Sequence, residues 1–393
     1  SIRPGLPGCR YFTAFETRFV KTRPIAVASP HARGSGPAST DAPALRISGR
    51  DIGDVRAIVG DDRRVDWIEP PRDRSLFVIG PETVDEETTK LSLDFLERAK
   101  KADKPFFLWW NSTRMHIFTH LKAESDGKTG LGVYADGMVE HDGHVGQVLA
   151  KLKELGLDGN TIVMYSTDNG AETFTWPDGG TTMFRGEKNT QWEGGYRVPT
   201  MIRWPGVIKP GTVINDIGAH EDMLPTFVAA AGDRTAKEDL LKGRAIGDRT
   251  FKVHLDGYDL GPALKGEAKW PRREFLYWTD DGSVAALRYD NWKVTFLKQE
   301  HEGLKVWQQP FTELRAPTIA NLRMDPFERA EHENAMGFQR WYLERMFLIA
   351  PAGAFVGQWL QSFKDYPPRQ KPASFNLDAV MRQLEDAGGG ANH

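Results

Sequence analysis

An acidic and an amide side chain stand together after an apolar run, in Ser166-Thr-Asp-Asn-Gly170. Asp168 and Asn169 offer two hard oxygen ligands of the kind that Ca²⁺ or Mg²⁺ prefers, and Gly170 lets the backbone turn. The same Asp-Asn-Gly sequence is also favoured in ordinary turns for local reasons. Two interpretations therefore stay open, a metal site and a turn, and the place of the pair directly after an apolar run favours the metal site.

Two histidines follow another apolar run, Pro105-Phe-Phe-Leu-Trp-Trp110. His116 could protonate a leaving group or bind an anion, and His120 lies four residues further on. A histidine in such a place can equally be a hydrogen-bonded loop residue. The sequence therefore makes His116 a candidate for chemistry and gives less support to His120.

The densest group of charged residues and glycines is the segment 184–199, which contains two arginines and Lys188. Cationic side chains and backbone amides in such a loop can hold a tetrahedral oxyanion such as sulfate or phosphate. The alternative is a charged surface loop. Trp176 and Trp192 lie nearby and argue against complete exposure to solvent.

Regular elements are predicted around these candidates. Helical spacing of apolar residues follows a capping-box pattern at Thr83 and continues to about Lys101. A strand at 106–110, a helix at 138–155 closed by a glycine and a strand at 162–165 form the strand, helix, strand order of a parallel crossover. The fold is therefore predicted to be α/β, and ligands in such sheets bind beyond the carboxyl ends of the strands.

The sequence changes in character after Trp270, where short apolar runs alternate with turn signals such as Asp281-Gly282. This pattern is typical of antiparallel hairpins. The remaining predicted elements are strands at 201–204, 275–278, 284–289 and 292–297, helices at 220–231 and 338–349, and a Pro-rich tail from Pro367.

Composition indicates a globular protein, because 40% of the 393 residues are hydrophobic and 27% are charged. A formal charge of −3 argues against a nucleic-acid partner, and no apolar run approaches the roughly 20 residues of a membrane-spanning helix. A single cysteine, Cys9, excludes an intramolecular disulfide but leaves the compartment open. No Gly-x-Ser-x-Gly elbow, P-loop or Rossmann fingerprint occurs in the expected context.

Residues 1–80 differ from the remainder because they contain twelve arginines, one lysine and no sustained helical or strand periodicity. We therefore predict three parts. They are an irregular or non-native Arg-rich segment at 1–80, an α/β core at 81–270 that lacks its N-terminal part, and a C-terminal subdomain with a small antiparallel sheet and tail at 271–393.

Five segments, taken in order, resemble the arylsulfatases of the alkaline-phosphatase-like superfamily. These segments are 166–170, 185–199, 204–211, 255–257 and 321–328. The resemblance implies a sulfuric ester hydrolase that acts on a small-molecule sulfate monoester and binds one Ca²⁺ ion, with Mg²⁺ the less expected metal. It also implies a mixed, mostly parallel sheet sandwiched by helices, with a smaller C-terminal antiparallel sheet.

The resemblance also assigns roles to the candidate residues. Asp168 and Asn169 would be metal ligands. Lys188 would contact the sulfate and the bridging oxygen, and His116 would assist the leaving group, so that both would bind substrate and take part in catalysis. Each role suits the chemistry of its side chain.

The nucleophile that the resemblance implies is missing. Family sulfatases use a formylglycine made from the first residue of a Cys/Ser-x-Pro/Ala-x-Arg signature, and this signature is absent here. Cys9 lacks the required neighbours, and Ser1-Ile-Arg-Pro-Gly5 resembles the segment that follows the signature. The family also has two aspartate metal ligands on its first strand and a segment of the Gly-Lys-x-His type. Neither feature is found in this sequence. We therefore expect an N-terminally truncated, inactive chain in which residues from about 6 to 80 are not native sequence.

Two other functions remain as alternatives. A phosphonate or phosphodiester hydrolase of the same superfamily would bind a similar anion, but those enzymes typically carry Asp-His where this chain has Asp168-Asn169. A non-catalytic binding or scaffold protein would need no nucleophile. The sequence specifies neither the ester, the oligomeric state nor the compartment, whether periplasmic or cytoplasmic.

Overall fold

The computed structural model describes residues 58–61, 64–67, 82–116, 120–176, 178–331 and 336–367, the first two ranges by backbone alone. The chain divides into two compact units. Unit 1 comprises Ser1–Met183 and Tyr196–Arg272, and unit 2 comprises Phe184–Gly195 and Arg273–His393. The three-part division of the sequence stays a prediction. Cys9 and the tail beyond residue 367 lie outside the described residues.

Unit 1 contains both helices and short strands, and most strands of unit 2 follow one another directly. The helices of the described residues are α1 Val84–Ala102, α2 Val133–Glu154, α3 Glu193–Tyr196, α4 Met223–Ala230, α5 Ala236–Lys242, α6 Gly261–Leu264, α7 Phe338–Leu343, α8 Ile349–Leu360 and α9 Ser362–Asp365. The strands are β1 Ile58–Asp61, β2 Arg64–Trp67, β3 Val163–Ser166, β4 Thr200–Arg203, β5 Arg244–Ile246, β6 Arg249–Phe251, β7 Glu274–Trp278, β8 Val284–Tyr289, β9 Trp292–Lys298 and β10 Thr312–Asn321.

Strand β3 lies at the centre of unit 1 and is buried along its whole length. Val163 and Tyr165 pack in one cluster with residues of α1 and α2. Met164, which points to the other face, packs with Met223 and Leu260. Because successive side chains of a strand alternate between faces, β3 is covered on both sides, as the predicted α/β class requires.

Helices α1 and α2 confirm the predicted helical periodicity with local differences. Phe95, Leu96 and Ala99 are buried, whereas Leu91, which fits the same spacing, is 48% exposed. The predicted capping box does not form. Thr83 has near-helical backbone angles, and its hydroxyl donates to the Glu87 carboxylate at 3.1 Å and accepts no hydrogen bond from the helix amides. Helix α2 begins five residues before the predicted start and ends, as predicted, just before a glycine.

The prediction of a strand at 106–110 is wrong, because Phe107 alone forms a β-bridge and the run makes no ladder. The apolar run is nevertheless packed, with Phe106, Leu108 and Trp110 in the cluster around β3. The ladders of the described strands are all antiparallel, including β3 with β4, so a parallel pair of 106–110 with β3 is not seen among them. Apolar runs predict burial, but a ladder also requires an aligned partner backbone.

Unit 2 contains a four-stranded antiparallel sheet in the order β10, β9, β8, β7. The predicted hairpin turns are confirmed, with Gly282 and Asp290 at positive φ of 83° and 50°. Strand β10 was not predicted, because Pro317 interrupts a polar sequence. The predicted helix at 338–349 is divided into α7, a 3₁₀ turn and α8, and α8 extends eleven residues further. Apolar side chains of α8 pack against the sheet.

Candidate functional site

Asp168 and Asn169 lie just beyond the carboxyl end of β3 and are half-buried. The amide nitrogen of Asn169 donates to the Gly170 carbonyl at 2.9 Å, which leaves its side-chain oxygen as the acceptor for a ligand. The oxygen donors therefore suit a hard cation in type. Ca²⁺ takes roughly six to eight oxygens, and no group of three or more His, Cys, Asp or Glu side chains in the described part of the chain is arranged to hold a metal. These two residues supply only part of a coordination shell.

The structure adds His220 beside Asp168. Its only signal in the sequence is its place at the start of a predicted helix. Its Nε2 atom lies 2.7 Å from the Ser166 hydroxyl at the end of β3. Burial lowers the pKa of His220, and the negative charge of Asp168 acts in the opposite direction. The imidazole thus connects the end of β3 to the 3₁₀ turn that precedes α4.

His116 lies on an exposed turn whose base is firmly held. Its backbone N–H donates to the Thr113 carbonyl at 3.1 Å. Thr113 in turn donates to both carboxylate oxygens of Asp85, from its amide at 2.7 Å and from its hydroxyl at 2.8 Å. The guanidinium of Arg114 contacts Asp85 at 3.2 Å and Glu140 at 2.7 Å. The first turn of α1 and helix α2 therefore fix the segment that carries His116.

Two further histidines, His141 and His144, are buried on α2. The Nδ1 atom of each lacks a hydrogen-bond partner among the described residues. Burial lowers the pKa of His141 to about 4, and it also lowers the pKa of His144. Neither histidine could be predicted as a buried residue, because a histidine within a helical pattern carries no sign of burial.

The segment that carries Lys188 is not the charged surface loop that the sequence left open as an alternative. Glu187, Thr190 and Trp192 are buried. The Thr190 hydroxyl donates to the Glu187 carbonyl at 2.6 Å, and the guanidinium of Arg185 lies 3.6 Å from the centre of the Trp192 ring. The backbone bearing Lys188 is therefore anchored within unit 2.

Lys188 itself is half-buried beside the 3₁₀ turn Gly303–Trp307. Its ammonium nitrogen lies 5.6 Å from the centre of the Trp307 ring. The next residue, Asn189, has a φ of 64° and donates its side-chain amide to the Val306 carbonyl at 2.9 Å. This hydrogen bond joins the segment to the 3₁₀ turn at the residue that follows the lysine.

A buried charge network attaches the end of this segment to the sheet of unit 2. Lys293 of β9 is completely buried and contacts Glu193 at 3.3 Å and Glu328 at 2.8 Å. The hydroxyl of Tyr277 donates to Glu193, and Glu328 also accepts from the Glu193 amide at 2.7 Å. Burial raises the pKa of Glu328, whereas the nearby Lys293 lowers it. Arg288 also contacts Glu193 at 3.2 Å, so that two cationic side chains compensate the two buried carboxyl groups.

Comparison with known proteins relates these features to a family. Residues 53–233 match the family model described as Sulfatase. Arylsulfatase A from Homo sapiens is 30% identical over 256 residues, which cover 62% of this chain and 47% of that protein. Over this range the chain is similar to the sulfatases. Steryl-sulfatase from Mus musculus is 33% identical over 234 residues, which cover 58% of this chain and 33% of the relative.

Solved structures agree with this similarity. PsFucS1 sulfatase from Pseudoalteromonas sp. is 26% identical, with a TM-score of 0.59 over 73% of this chain and 54% of that one. The predicted alkaline-phosphatase-like α/β fold with a small C-terminal antiparallel sheet is thereby confirmed. The chain spans about half the length of arylsulfatase A, a third of the length of the steryl-sulfatase and about half of PsFucS1.

These findings confirm the family resemblance and favour it over the phosphonate or phosphodiester hydrolase and the scaffold protein. The roles of His116, Asp168, Asn169 and Lys188 stay predictions. None of the helices that the structure describes is long and apolar enough to cross a membrane.

Proposed function

We propose that this chain binds a small-molecule sulfate monoester at a site whose residues are suited to hydrolysis of that ester. The observation that carries the proposal is the buried anchoring of the segment 184–195, because it gives Lys188 a fixed place on a rigid support. A fixed cation suits the recognition of a tetrahedral anion, since little ordering remains to be done when the anion binds. The family match supports sulfate as that anion.

Asp168 and Asn169 are proposed to provide two of the oxygen ligands of one Ca²⁺ ion. When bound, the ion would supply positive charge that offsets the charge of the sulfate group. Mg²⁺ suits these residues less well, because it demands a near-ideal octahedron of short metal–oxygen bonds. The His220 imidazole next to Asp168 would help to fix the end of β3 that presents both ligands.

Lys188 and His116 are proposed to act on the ester itself. The ammonium group of Lys188 would bind the sulfate oxygens and stabilise the negative charge that develops on the bridging oxygen. The imidazole of His116, exposed on its held turn, would donate a proton to the departing alcohol oxygen.

The family's nucleophile, a formylglycine, has no precursor signature in these 393 residues. Catalytic groups that act as a unit lose most of their effect when one is absent. We therefore propose that this chain binds a sulfate ester but turns it over at a negligible rate, and that formylglycine chemistry belongs to a parent protein that contains the signature.

Binding by the full chain tests this proposal. Calorimetric titration with 4-nitrophenyl sulfate in the presence of Ca²⁺ is expected to show binding that Lys188→Met weakens at least tenfold, because a charge-assisted contact is lost. Lys305→Met, which removes an exposed lysine nearby, is the matched control and should bind normally. Equal affinity of Lys188→Met and the unmodified chain would contradict the role of Lys188. Release of 4-nitrophenol at an enzymatic rate would contradict the proposed inactivity.

A further inference from the structure

The 3₁₀ turn Gly303–Trp307 presents an apolar surface next to Lys188. Val306 is 2% exposed and anchors the turn, whereas Leu304 and Trp307 are 58% and 47% exposed. Side chains three residues apart in a 3₁₀ helix eclipse each other, so Leu304 and Trp307 lie on the same side of the turn. A flat aromatic ring and an aliphatic side chain thus form one small exposed apolar surface.

This surface is held in a fixed relation to the lysine. The Gly303 amide donates to the Glu187 carboxylate at 2.6 Å, and the Asn189 side chain donates to the Val306 carbonyl at 2.9 Å. Glu187 and Asn189 are the two chain neighbours of Lys188. Both ends of the turn are therefore bonded to residues that flank the lysine, and the position of the Trp307 ring follows from these bonds.

An ammonium group beside a half-exposed indole ring matches a ligand that joins an anion to a flat apolar ring. The 5.6 Å between the lysine nitrogen and the ring centre lies within the range of cation–π attraction. An aryl sulfate has its ring attached through a single bridging oxygen to the sulfate, so one such molecule can contact both groups. Stacking of the aryl ring on this aromatic face would add to the binding of the sulfate group.

We propose that Trp307, with Leu304 beside it, is the platform that binds the ring of the substrate alcohol and makes the site specific for sulfate esters of aromatic or similarly flat apolar alcohols. This inference rests on the proposed function, because Lys188 must hold the sulfate for the ring to reach Trp307. Trp307 is accordingly a specificity-determining residue and not a group that moves a proton or breaks a bond.

The test compares two probes on the full chain, inorganic sulfate and 4-nitrophenyl sulfate, titrated by calorimetry with Ca²⁺ present. The unmodified chain should bind the aryl sulfate more tightly than the inorganic ion. Trp307→Ala should weaken aryl sulfate binding about three- to tenfold and leave inorganic sulfate binding unchanged. Trp307→Phe should retain most of the aryl preference, because a ring face remains. Phe347→Ala removes a 69% exposed aromatic residue from another 3₁₀ turn and is the matched control.

The outcomes separate this inference from the proposed function. Unchanged aryl sulfate binding by Trp307→Ala, or equal losses for both probes, would overturn the platform while leaving the sulfate role of Lys188 intact. An unmodified chain that does not bind the aryl sulfate more tightly than inorganic sulfate would overturn it as well. Lys188→Met should weaken the binding of both probes. If Lys188→Met left the binding of inorganic sulfate unchanged, that result would instead contradict the proposed function.

Discussion

His141 is a histidine that the fold keeps uncharged. It is 6% exposed and lies near the rings of Trp110 and Tyr165, with centroid distances of 6.1 and 6.4 Å. Burial is the main cause that lowers its pKa to about 4. Asp85 raises the pKa, and His144 and Arg114 lower it further. Since the ordinary histidine pKa is about 6.5, the unfolded chain binds a proton at pH 5 that the folded chain does not.

Acidification should therefore destabilise the protein through this residue. Between pH 7 and pH 5 the proton taken up by the unfolded state should cost roughly 2 kcal/mol of unfolding free energy. Urea unfolding of the unmodified chain and of His141→Gln at both pH values measures this loss. The difference between pH 7 and pH 5 should be smaller in the variant, although His144, whose pKa is also lowered, will retain part of it. The same loss in both proteins would show that His141 is not responsible.

Candidate residues whose position depends on the local sequence could be predicted. Residues whose environment comes from distant segments could not. Asp168 and Asn169 follow a buried strand, as predicted, because a strand and the turn after it are adjacent in sequence. The burial of His141 and the contact of His220 with Ser166 depend on elements far apart in the chain. Such a contact has no periodic signal in a single sequence.

At the scale of elements, Gly194 allows the start of α3 to pack against the segment that carries Lys188. A Cβ atom at this position would lie 2.3 Å from the Gly186 carbonyl oxygen and 2.5 Å from that of Arg185. Both obstacles are backbone atoms, so Gly194→Ala must displace the segment. We expect a loss of about 2 kcal/mol in unfolding free energy together with weaker binding of inorganic sulfate, measured by urea unfolding and calorimetry.

Gly146 supplies the control for this substitution. It is exposed on α2, and a Cβ atom there would meet nothing within 4 Å. Gly146→Ala should therefore stabilise the protein by about 0.5–1 kcal/mol, because alanine loses less backbone entropy in a helix. If Gly194→Ala were as well tolerated as Gly146→Ala, close packing of the segment would not be what fixes Lys188.

The helices α1, α2 and α4, the strands β3 and β4, and the hairpins of unit 2 were predictable because each has a local signal, such as apolar periodicity or a turn dipeptide. The run at 106–110 shows the limit of such signals. Its side chains are packed, but only Phe107 makes a bridge, because burial is encoded by composition whereas pairing depends on a neighbouring backbone. Strand β10 was missed for the converse reason, since six of its ten residues pair with β9 although the strand is largely polar.

At the scale of the whole molecule, each compact unit has hydrophobic clusters of its own. The clusters around Phe95 and Met164 consist of residues of unit 1, and the cluster around Leu276 consists of residues of unit 2. Two separately packed interiors predict two unfolding transitions and not one. A substitution inside one unit should then lower the stability of that unit alone.

Leu152→Ala and Lys293→Met test this expectation. Leu152 is 3% exposed in unit 1, and truncation should cost about 2–5 kcal/mol. Removal of the Lys293 ammonium leaves Glu193 and Glu328 buried without it, at a cost of about 3–5 kcal/mol in unit 2. Hydrogen exchange followed by mass spectrometry should show faster exchange only in peptides of the substituted unit. Equal acceleration in both units would mean that the chain unfolds as one cooperative body, because a loss of stability in either interior would then be shared by every protected amide.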